Sequence, residues 1–272
     1  MNVNDQLQRE LRAYKAYLLR LPVLTRSVAT LCIAVYVLDC LGFGLKAWMD
    51  LDPSKINMST MYRLNTYPLP HLSLLHLLPN LLALLPLLTR HERSHGSLLT
   101  LLQILGPLTT FPAFLYLAIS YILRTSTPVV GASAWVFTLI SAEAVETWRV
   151  RPTVDLLGRK IPTWATPLGM CLLIAVLMPG TSFVGHLCGI VVGYLMGLGW
   201  LNILNTPEWI LRKVEDKLPL EAFIPHYVGL EGREKAGMGF VLPSHNGGDV
   251  ELGGVGEGEA SAFRGTGRPL GA

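Results

Sequence analysis

Long apolar segments alternate with short polar ones along most of this 272-residue chain. Six of them approach the roughly 20 residues that a helix needs to cross the hydrocarbon core of a bilayer. They cover residues 27–48, 71–89, 98–123, 132–147, 162–178 and 182–205. The pattern predicts an all-α, polytopic bundle of six transmembrane helices, which forms one domain over residues 27–205.

The two flanks of this region are polar. Residues 1–26 carry basic side chains, and we expect them to form a separate N-terminal segment. After the sixth span, Thr206 followed by Pro207 is a helix-start signal. An apolar stripe then faces basic residues, which predicts an amphipathic interfacial helix over 206–225. Residues 226–272 are rich in glycine and are predicted to be a disordered tail.

Composition supports a membrane location. The chain is 51% hydrophobic and 15% charged, against about 25% charged in soluble domains. Its net charge of +3 is small and dispersed, which argues against a nucleic-acid partner. The four cysteines all lie in apolar segments, so they indicate neither disulfides nor a metal site.

The distribution of lysine and arginine predicts the orientation. If the N-terminus is cytosolic, eighteen of these residues lie on the cytosolic side and four on the opposite side. Basic residues accumulate on the cytosolic side of membrane proteins. Both termini are therefore predicted to be cytosolic.

Candidate chemistry lies in two short segments far apart in sequence. Ser133 follows Gly131 near the start of the fourth span, and His186 lies near the start of the sixth. A polar side chain at membrane depth is costly, so it is a functional candidate. A serine with a histidine in reach can act as nucleophile and general base. Gly189 and Gly193 share the helix face of His186, and small residues let a neighbouring helix approach closely.

A second polar pair lies on the second span. His76 and Asn80 are spaced i, i+4, so their side chains share one helix face. In the predicted topology spans two, four and six all enter from the same side of the membrane. His76 and Asn80 therefore lie at a depth similar to Ser133 and His186, and they are candidate donors to an oxyanion, together with the backbone N–H of Ser133.

The combination of these positions resembles the rhomboid family of intramembrane serine proteases. The matching residues are His71, His76 and Asn80 on span two, Gly131 and Ser133 on span four, and His186, Gly189 and Gly193 on span six. Two further matches are Tyr62-Arg63 after span one and Glu92 with Gly96-Ser97 after span two. Ala134 departs from the pattern, since rhomboids commonly carry glycine there.

The resemblance implies a serine endopeptidase that cleaves transmembrane segments of membrane-protein substrates. Ser133 and His186 would be catalytic, His76 and Asn80 would form the oxyanion hole, and His71, Gly131, Gly189 and Gly193 would support them. No metal or other cofactor is implied. The layout is most similar to small fungal rhomboids of the secretory pathway, which suggests the Golgi membrane.

Other interpretations remain open at this stage. A catalytically silent, derlin-like adaptor would use the same bundle to bind membrane clients, although it would have no need of both Ser133 and His186. His91, Glu92 and His95 spell H-E-x-x-H, the signature of zinc proteases, but two arginines and Gly96 adjoin it. A transporter is a distant alternative, since no pair of broken helices indicates one.

The tail contains one further pattern. Phe263, Gly265, Gly267 and Leu270 resemble the F-x-G-x-G-x-x-L box with which some adaptors bind the hexameric AAA+ segregase. An aromatic residue and a leucine separated by glycines suit binding in a shallow groove. Asp39, inside the first span, has no partner that the sequence reveals, and no role is assigned to it.

Overall fold

Helices dominate the computed structural model, which describes residues 3–156 and 158–233. The α-helices are α1 (Val3–Leu19), α2 (Val23–Leu38), α3 (Leu45–Met49), α4 (Arg63–Thr66), α5 (Leu74–His95), α6 (Ser97–Leu105), α7 (Pro107–Leu123), α8 (Ser133–Val150), α9 (Thr166–Leu177), α10 (Phe183–Gly197), α11 (Glu208–Lys217) and α12 (Leu220–Phe223). Two short strands, β1 (Thr153–Leu156) and β2 (Arg159–Pro162), pair antiparallel as a hairpin between α8 and α9. One π-helical turn covers Asp39–Phe43, and 3-10 turns cover Pro53–Lys55, Met58–Thr60, Thr163–Ala165 and Trp200–Leu204.

Each of the six predicted segments is helical, and the mostly helical fold class is confirmed. By length and composition, two helical segments of the described chain suit a membrane span on their own, Val23–Phe43 and Ser97–Leu123. Thr163–Leu177 and Phe183–Gly197 are shorter apolar helices. The count of six spans therefore stays a prediction.

The third predicted segment is two helices and not one. α6 ends at Leu105 and α7 begins at Pro107, with Gly106 between them in a non-helical conformation. Proline lacks an N–H and clashes with the preceding turn, so it suits the first position of a new helix. The sequence prediction joined the two helices because it followed hydrophobicity alone.

Helix α8 lies at the centre of the bundle. Trp135, Val136, Phe137 and Leu139 are all buried, although they point to different sides of the helix. The main apolar core joins α8 to α2, α5 and the start of α7 through buried residues such as Leu84 and Leu108. A residue on α8 is therefore held by packing from several directions.

Helix α10 packs directly against the backbone of α8. A Cβ on Gly189 would lie 2.8 Å from the carbonyl oxygen of Ala134, and one on Gly197 would lie 2.7 Å from that of Ala142. Such distances are too short for real atoms, so only glycine allows this approach. The glycine face of α10 is the surface on which the two helices meet.

The segment after α2 contains a buried ion pair. Arg63 is 6% exposed and pairs with Asp50, and it also donates to the carbonyl oxygen of Ala47 at 3.2 Å. Asp39, for which the sequence suggested no partner, accepts from the backbone N–H of Lys46 at 2.8 Å. Its carboxylate thus closes the turn between α2 and α3.

A buried carboxylate connects the ends of three helices. Glu92, at the end of α5, accepts from the backbone N–H groups of Leu24 and Thr25 at 2.9 and 2.7 Å. The hydroxyls of Thr25 and Ser97 also donate to it, at 2.7 and 2.6 Å. First-turn N–H groups have no partner within their own helix, so Glu92 satisfies the start of α2.

The segment after α12 completes the same region. The backbone N–H of Val23 donates to the carbonyl oxygen of His226 at 3.0 Å, and that of Ser97 donates to the carbonyl oxygen of Val228 at 2.8 Å. Glu215 of α11 accepts from the Tyr227 hydroxyl at 2.7 Å and from the N–H of Leu230 at 3.0 Å. Residues 226–230, predicted to belong to the disordered tail, are thus hydrogen-bonded to α2, α6 and α11. We call residues 226–230 the C-terminal clasp.

Helix α11 differs in detail from the predicted amphipathic helix over 206–225. Its buried residue is Leu211, which is 2% exposed and packs with Leu99 and Leu230. The predicted apolar stripe consists of Trp209, Ile210, Val214 and Leu218. Trp209 and Leu218 are 67% and 55% exposed, while Ile210 and Val214 are half-buried. The side that packs on the protein thus includes only part of the stripe, and contact of the exposed side with lipid stays a prediction.

Candidate active site

Ser133 is the first residue of α8, and the loop before it is tightly constrained. Gly131 has φ +112°, a backbone conformation that side chains rarely tolerate, and a Cβ there would lie 2.7 Å from Cε1 of His76. The N–H of Gly131 donates to the carbonyl oxygen of Tyr67 at 2.9 Å. Glycine is therefore required both by the turn and by the ring packed against it.

His71 holds the next residue of this loop. The backbone N–H of Ala132 donates to Nε2 of His71 at 3.3 Å, and Nδ1 of the same ring lies 3.0 Å from the carbonyl oxygen of Leu69. Because Nε2 accepts, the neutral ring carries its proton on Nδ1 and donates it to Leu69. His71 thus braces the backbone directly before Ser133.

His186 lies in the first turn of α10, which Ser182 caps by accepting from the N–H of Gly185 at 3.1 Å. Nε2 of His186 is 3.1 Å from Oγ of Ser133. The ring of Phe137 packs on the imidazole with 4.6 Å between centroids. Nδ1 of His186 is buried and has no hydrogen-bond partner among the described residues.

His76 and Asn80 both lie on α5 beside this pair. The N–H of Leu72 donates to Nδ1 of His76 at 3.4 Å, so the neutral ring carries its proton on Nε2. Nε2 is buried and, among the described residues, has no partner. One amide N–H of Asn80 donates to the carbonyl oxygen of His76 at 2.9 Å, which leaves the other unassigned.

A small cavity of about 70 Å³ joins these groups. Its walls come from α5, α8, α9 and the start of α10, and they are mostly apolar. The lining residues are His76, Pro79, Asn80, Ala83, Ser133, Val136, Phe137, Met170, Ile174, Met178, Thr181 and His186. Ser133, His186, His76 and Asn80 are thus brought together from three helices, as the sequence predicted.

The H-E-x-x-H segment lies at the other end of α5. Both carboxylate oxygens of Glu92 are taken by the four donors described above, so this residue is not available as a general base. Nε2 of His91 is 2.7 Å from Oε1 of Gln103, and Nδ1 of His95 is 3.0 Å from the carbonyl oxygen of His91. No group of three potential metal ligands occurs within residues 3–156 and 158–233.

Sequence reasoning missed several residues of the site. Phe137 follows Ser133 by one helical turn, and this i, i+4 spacing is a signal that was available. Met170 and Ile174 come from α9 and Met178 follows its last residue. The apolar stretch of α9 contains no polar residue, so it gave no functional signal. The box at Phe263, Gly265, Gly267 and Leu270 lies outside the described residues.

A serine hydroxyl bonded to a histidine, beside a small cavity in an apolar helical bundle, has the components of a serine hydrolase. The Rhomboid domain model matches residues 58–203. The chain is 44% identical over 232 residues to Rhomboid-type serine protease B of Aspergillus fumigatus, and this alignment covers 85% of each chain. It is 37% identical over 199 residues to Rhomboid-type serine protease 2 of Saccharomyces cerevisiae, covering 72% of this chain and 75% of that one.

The chain therefore belongs to the rhomboid family and is a rhomboid-type serine protease. This confirms the resemblance on which the sequence analysis relied, and the family is one of integral membrane proteins that act on membrane-protein substrates. A further relative, Rhomboid-type serine protease 2 of Gibberella zeae, is 44% identical over 234 residues. This alignment covers 85% of the present chain and 87% of the relative.

Proposed function

We propose that Ser133 and His186 are the catalytic dyad of an intramembrane endopeptidase. The observation that carries the proposal is the 3.1 Å contact between Oγ of Ser133 and Nε2 of His186, inside a mostly apolar cavity. The hydroxyl would donate to Nε2, which places the proton of the neutral ring on Nδ1. Since Nδ1 has no partner among the described residues, these two side chains would act without a carboxylate.

The reaction follows from this geometry. Oγ of Ser133 attacks the scissile carbonyl carbon while Nε2 of His186 takes the hydroxyl proton. The tetrahedral intermediate collapses, the C–N bond breaks and His186 returns the proton to the leaving amine. Water then attacks the acyl-enzyme, with His186 again as base, and releases the carboxylic acid and Ser133.

The oxyanion of the intermediate needs donors that are in place before the reaction. Nε2–H of His76 is without a partner among the described residues, and it lies on the wall of the same cavity as Ser133. The free amide N–H of Asn80 and the backbone N–H of Ser133, at a helix start, complete the set. These three donors come from two helices that pack together.

Asn80→Ala is expected to lower kcat about 10-fold to 100-fold and to change KM little, because an oxyanion donor acts mainly in the transition state. The loss is partial since His76 and the Ser133 N–H remain. Steady-state kinetics on a reporter in detergent would measure both constants. A rise in KM with unchanged kcat would contradict the oxyanion role and indicate that Asn80 contacts the substrate.

The substrates proposed are transmembrane segments of other membrane proteins. The site lies among apolar helices. The proposed topology of the chain has six spans and both termini cytosolic, and the distribution of Lys and Arg supports this orientation. A Golgi membrane location rests on the resemblance to fungal secretory-pathway rhomboids.

The test is to incubate the purified protein in detergent with a reporter whose transmembrane helix is destabilised by glycine or proline. Mass spectrometry of the products should place the cut in or beside the transmembrane segment. The alternative is a silent adaptor, which would bind the same reporter and leave it whole. Binding without cleavage would favour the adaptor.

We also propose that the tail binds the AAA+ segregase through residues 263–270. Phe263 and Leu270 are the only large apolar side chains after Val255, and Gly265 and Gly267 allow the backbone between them to lie flat. Affinity should be in the micromolar range, about −8 kcal/mol, because a short segment that becomes ordered on binding loses entropy.

Phe263→Ala combined with Leu270→Ala is expected to abolish recovery of the segregase with the full-length protein. Cleavage of a reporter in detergent should be unchanged, because the predicted tail starts on the cytosolic side while Ser133 lies near the opposite side. Co-purification from membranes and the detergent assay give the two readouts. The matched control replaces Val255 and Leu252 with alanine. The proposal is supported if this control still binds the segregase and the Phe263/Leu270 variant does not. Equal binding by both double variants would contradict it.

A further inference from the structure

The proposed dyad joins two helices, so its geometry depends on how α8 and α10 are held against each other. Ser133 is the first residue of α8 and His186 lies in the first turn of α10. Glycines bring these helices into backbone contact, and a directional contact at this crossing would fix their relative position along the axis.

Thr138 makes such a contact. Its hydroxyl lies 2.8 Å from the carbonyl oxygen of Ala134 on its own helix and 3.1 Å from the carbonyl oxygen of Gly189 on α10. The residue is completely buried. Its single hydroxyl proton is shared between the two carbonyls, one of which belongs to the residue after Ser133.

The backbone of Thr138 also takes part in the closest approach of the two helices. A Cβ on Gly193 would overlap the carbonyl oxygen of Thr138 and would lie 2.7 Å from Cβ of Ser141. Two glycines of α10 thus contact Thr138. Gly189 contacts the Thr138 hydroxyl, and Gly193 contacts the Thr138 carbonyl. This crossing point lies about one to two helical turns from the Ser133–His186 pair, because Thr138 follows Ser133 by five residues and a turn contains about 3.6.

We propose that Thr138 is a positioning residue for the dyad. Its hydroxyl fixes the axial register of α10 on α8 and so holds Nε2 of His186 at hydrogen-bond distance from Oγ of Ser133. Thr138 does not line the cavity, and its hydroxyl contacts only backbone carbonyls among the described residues. The proposal rests on the proposed function, because it requires the two residues to act together.

The hydrogen bond matters because reaction geometry is strict. A displacement of about 1 Å between reacting groups can cost about 100-fold in rate, while the protein as a whole stays folded. Valine has nearly the shape of threonine and lacks the hydroxyl. Thr138→Val therefore removes the directional contact and keeps the packing.

The test compares Thr138→Val with Thr138→Ser, which keeps the hydroxyl, and with Thr100→Val as a matched control. Thr100 is also completely buried, and its hydroxyl has no hydrogen-bond partner within the described ranges. Kinetics on the reporter and the rate at which a fluorophosphonate probe labels Ser133 are measured in detergent. Thermal unfolding of each variant is recorded in parallel.

Thr138→Val is expected to lower kcat and the labelling rate each about 10-fold with unchanged KM, a smaller loss than a full 1 Å displacement would give. Thr138→Ser and Thr100→Val should both retain the rates of the unmodified protein. Equal labelling rates in Thr138→Val and Thr100→Val would overturn the proposal, even if Thr138→Val unfolds at a lower temperature. If Thr138→Val does not fold, Thr138→Ala takes its place with the same expectations.

Failure of the proposed function has a different signature. If Ser133→Ala still cleaves the reporter, the dyad itself is wrong, whatever Thr138 does. If Ser133→Ala is inactive and Thr138→Val labels at the full rate, the dyad stands and only the positioning role is lost.

Discussion

Replacing Ser133 with alanine is expected to abolish cleavage of a transmembrane reporter, and His186→Ala should do the same. Without Oγ no acyl-enzyme forms, and without Nε2 the hydroxyl loses the base that contacts it. Loss of either group costs about 10⁶-fold in kcat in a well-studied soluble serine protease, because the two act as a unit. Product formation by purified variants, followed over hours with the reporter, would measure the residual rate.

Both variants should remain folded and inserted in the membrane. Each substitution removes the Ser133–His186 hydrogen bond, worth about 1 kcal/mol. His186→Ala also removes the packing of the imidazole on Phe137, so it should be the more destabilising of the two. Thermal unfolding in detergent and the yield from membranes are the controls. Cleavage by Ser133→Ala at the unmodified rate would rule out the serine mechanism. If a variant is inactive and also unfolded, its loss of activity is caused by its loss of stability.

Gly193→Leu is expected to inactivate the protein although it removes no reacting group. The new side chain would overlap the carbonyl oxygen of Thr138 and lie against Cβ of Ser141, so α10 must move away from α8. Because His186 moves with α10, the contact with Ser133 would open, and a 1 Å shift alone can cost about 100-fold. Labelling of Ser133 by a fluorophosphonate probe would report the loss directly.

Gly169→Leu provides the matched control. Gly169 lies in the apolar helix α9, and a Cβ there meets nothing within 4 Å. The same substitution in the same kind of helix should therefore leave the labelling rate near that of the unmodified protein. Equal activity in the two leucine variants would show that α10 does not need its close approach to α8.

The candidate site was largely predictable because its polar residues stand out against apolar helices. Polar side chains are unexpected in apolar segments, so each of four residues is a functional candidate from the sequence: His76, Asn80, Ser133 and His186. Helical spacing places the first two on one face. The small residues around Ser133 and His186 were predictable for the same reason. Their pattern identifies a close approach of two helices without saying which atoms meet.

Other parts could not be predicted because their signal is tertiary. Thr138 is one buried threonine among several in the chain, and only the position of Gly189 on a neighbouring helix distinguishes it. Met170 in α9 and Met178 directly after it are ordinary apolar residues in the sequence, and only the cavity identifies them as part of the site. The interruption at Gly106 was missed because both sides of it are equally hydrophobic, although Pro107 marked the start of α7.

The C-terminal clasp has a consequence for biosynthesis. The backbone N–H of Val23, at the start of the first long apolar helix, donates to the carbonyl oxygen of His226. That of Ser97 donates to the carbonyl oxygen of Val228. A ribosome makes Val23 early and His226 late, so the first helices must enter the membrane while these partners do not yet exist. Glu92, synthesised between them, can hold the start of α2 in the meantime. The N-terminal part of the bundle therefore reaches its final structure only after translation has passed the clasp. In nascent chains halted before it, proteases should reach the starts of α2 and α6, which are predicted to lie on the cytosolic side.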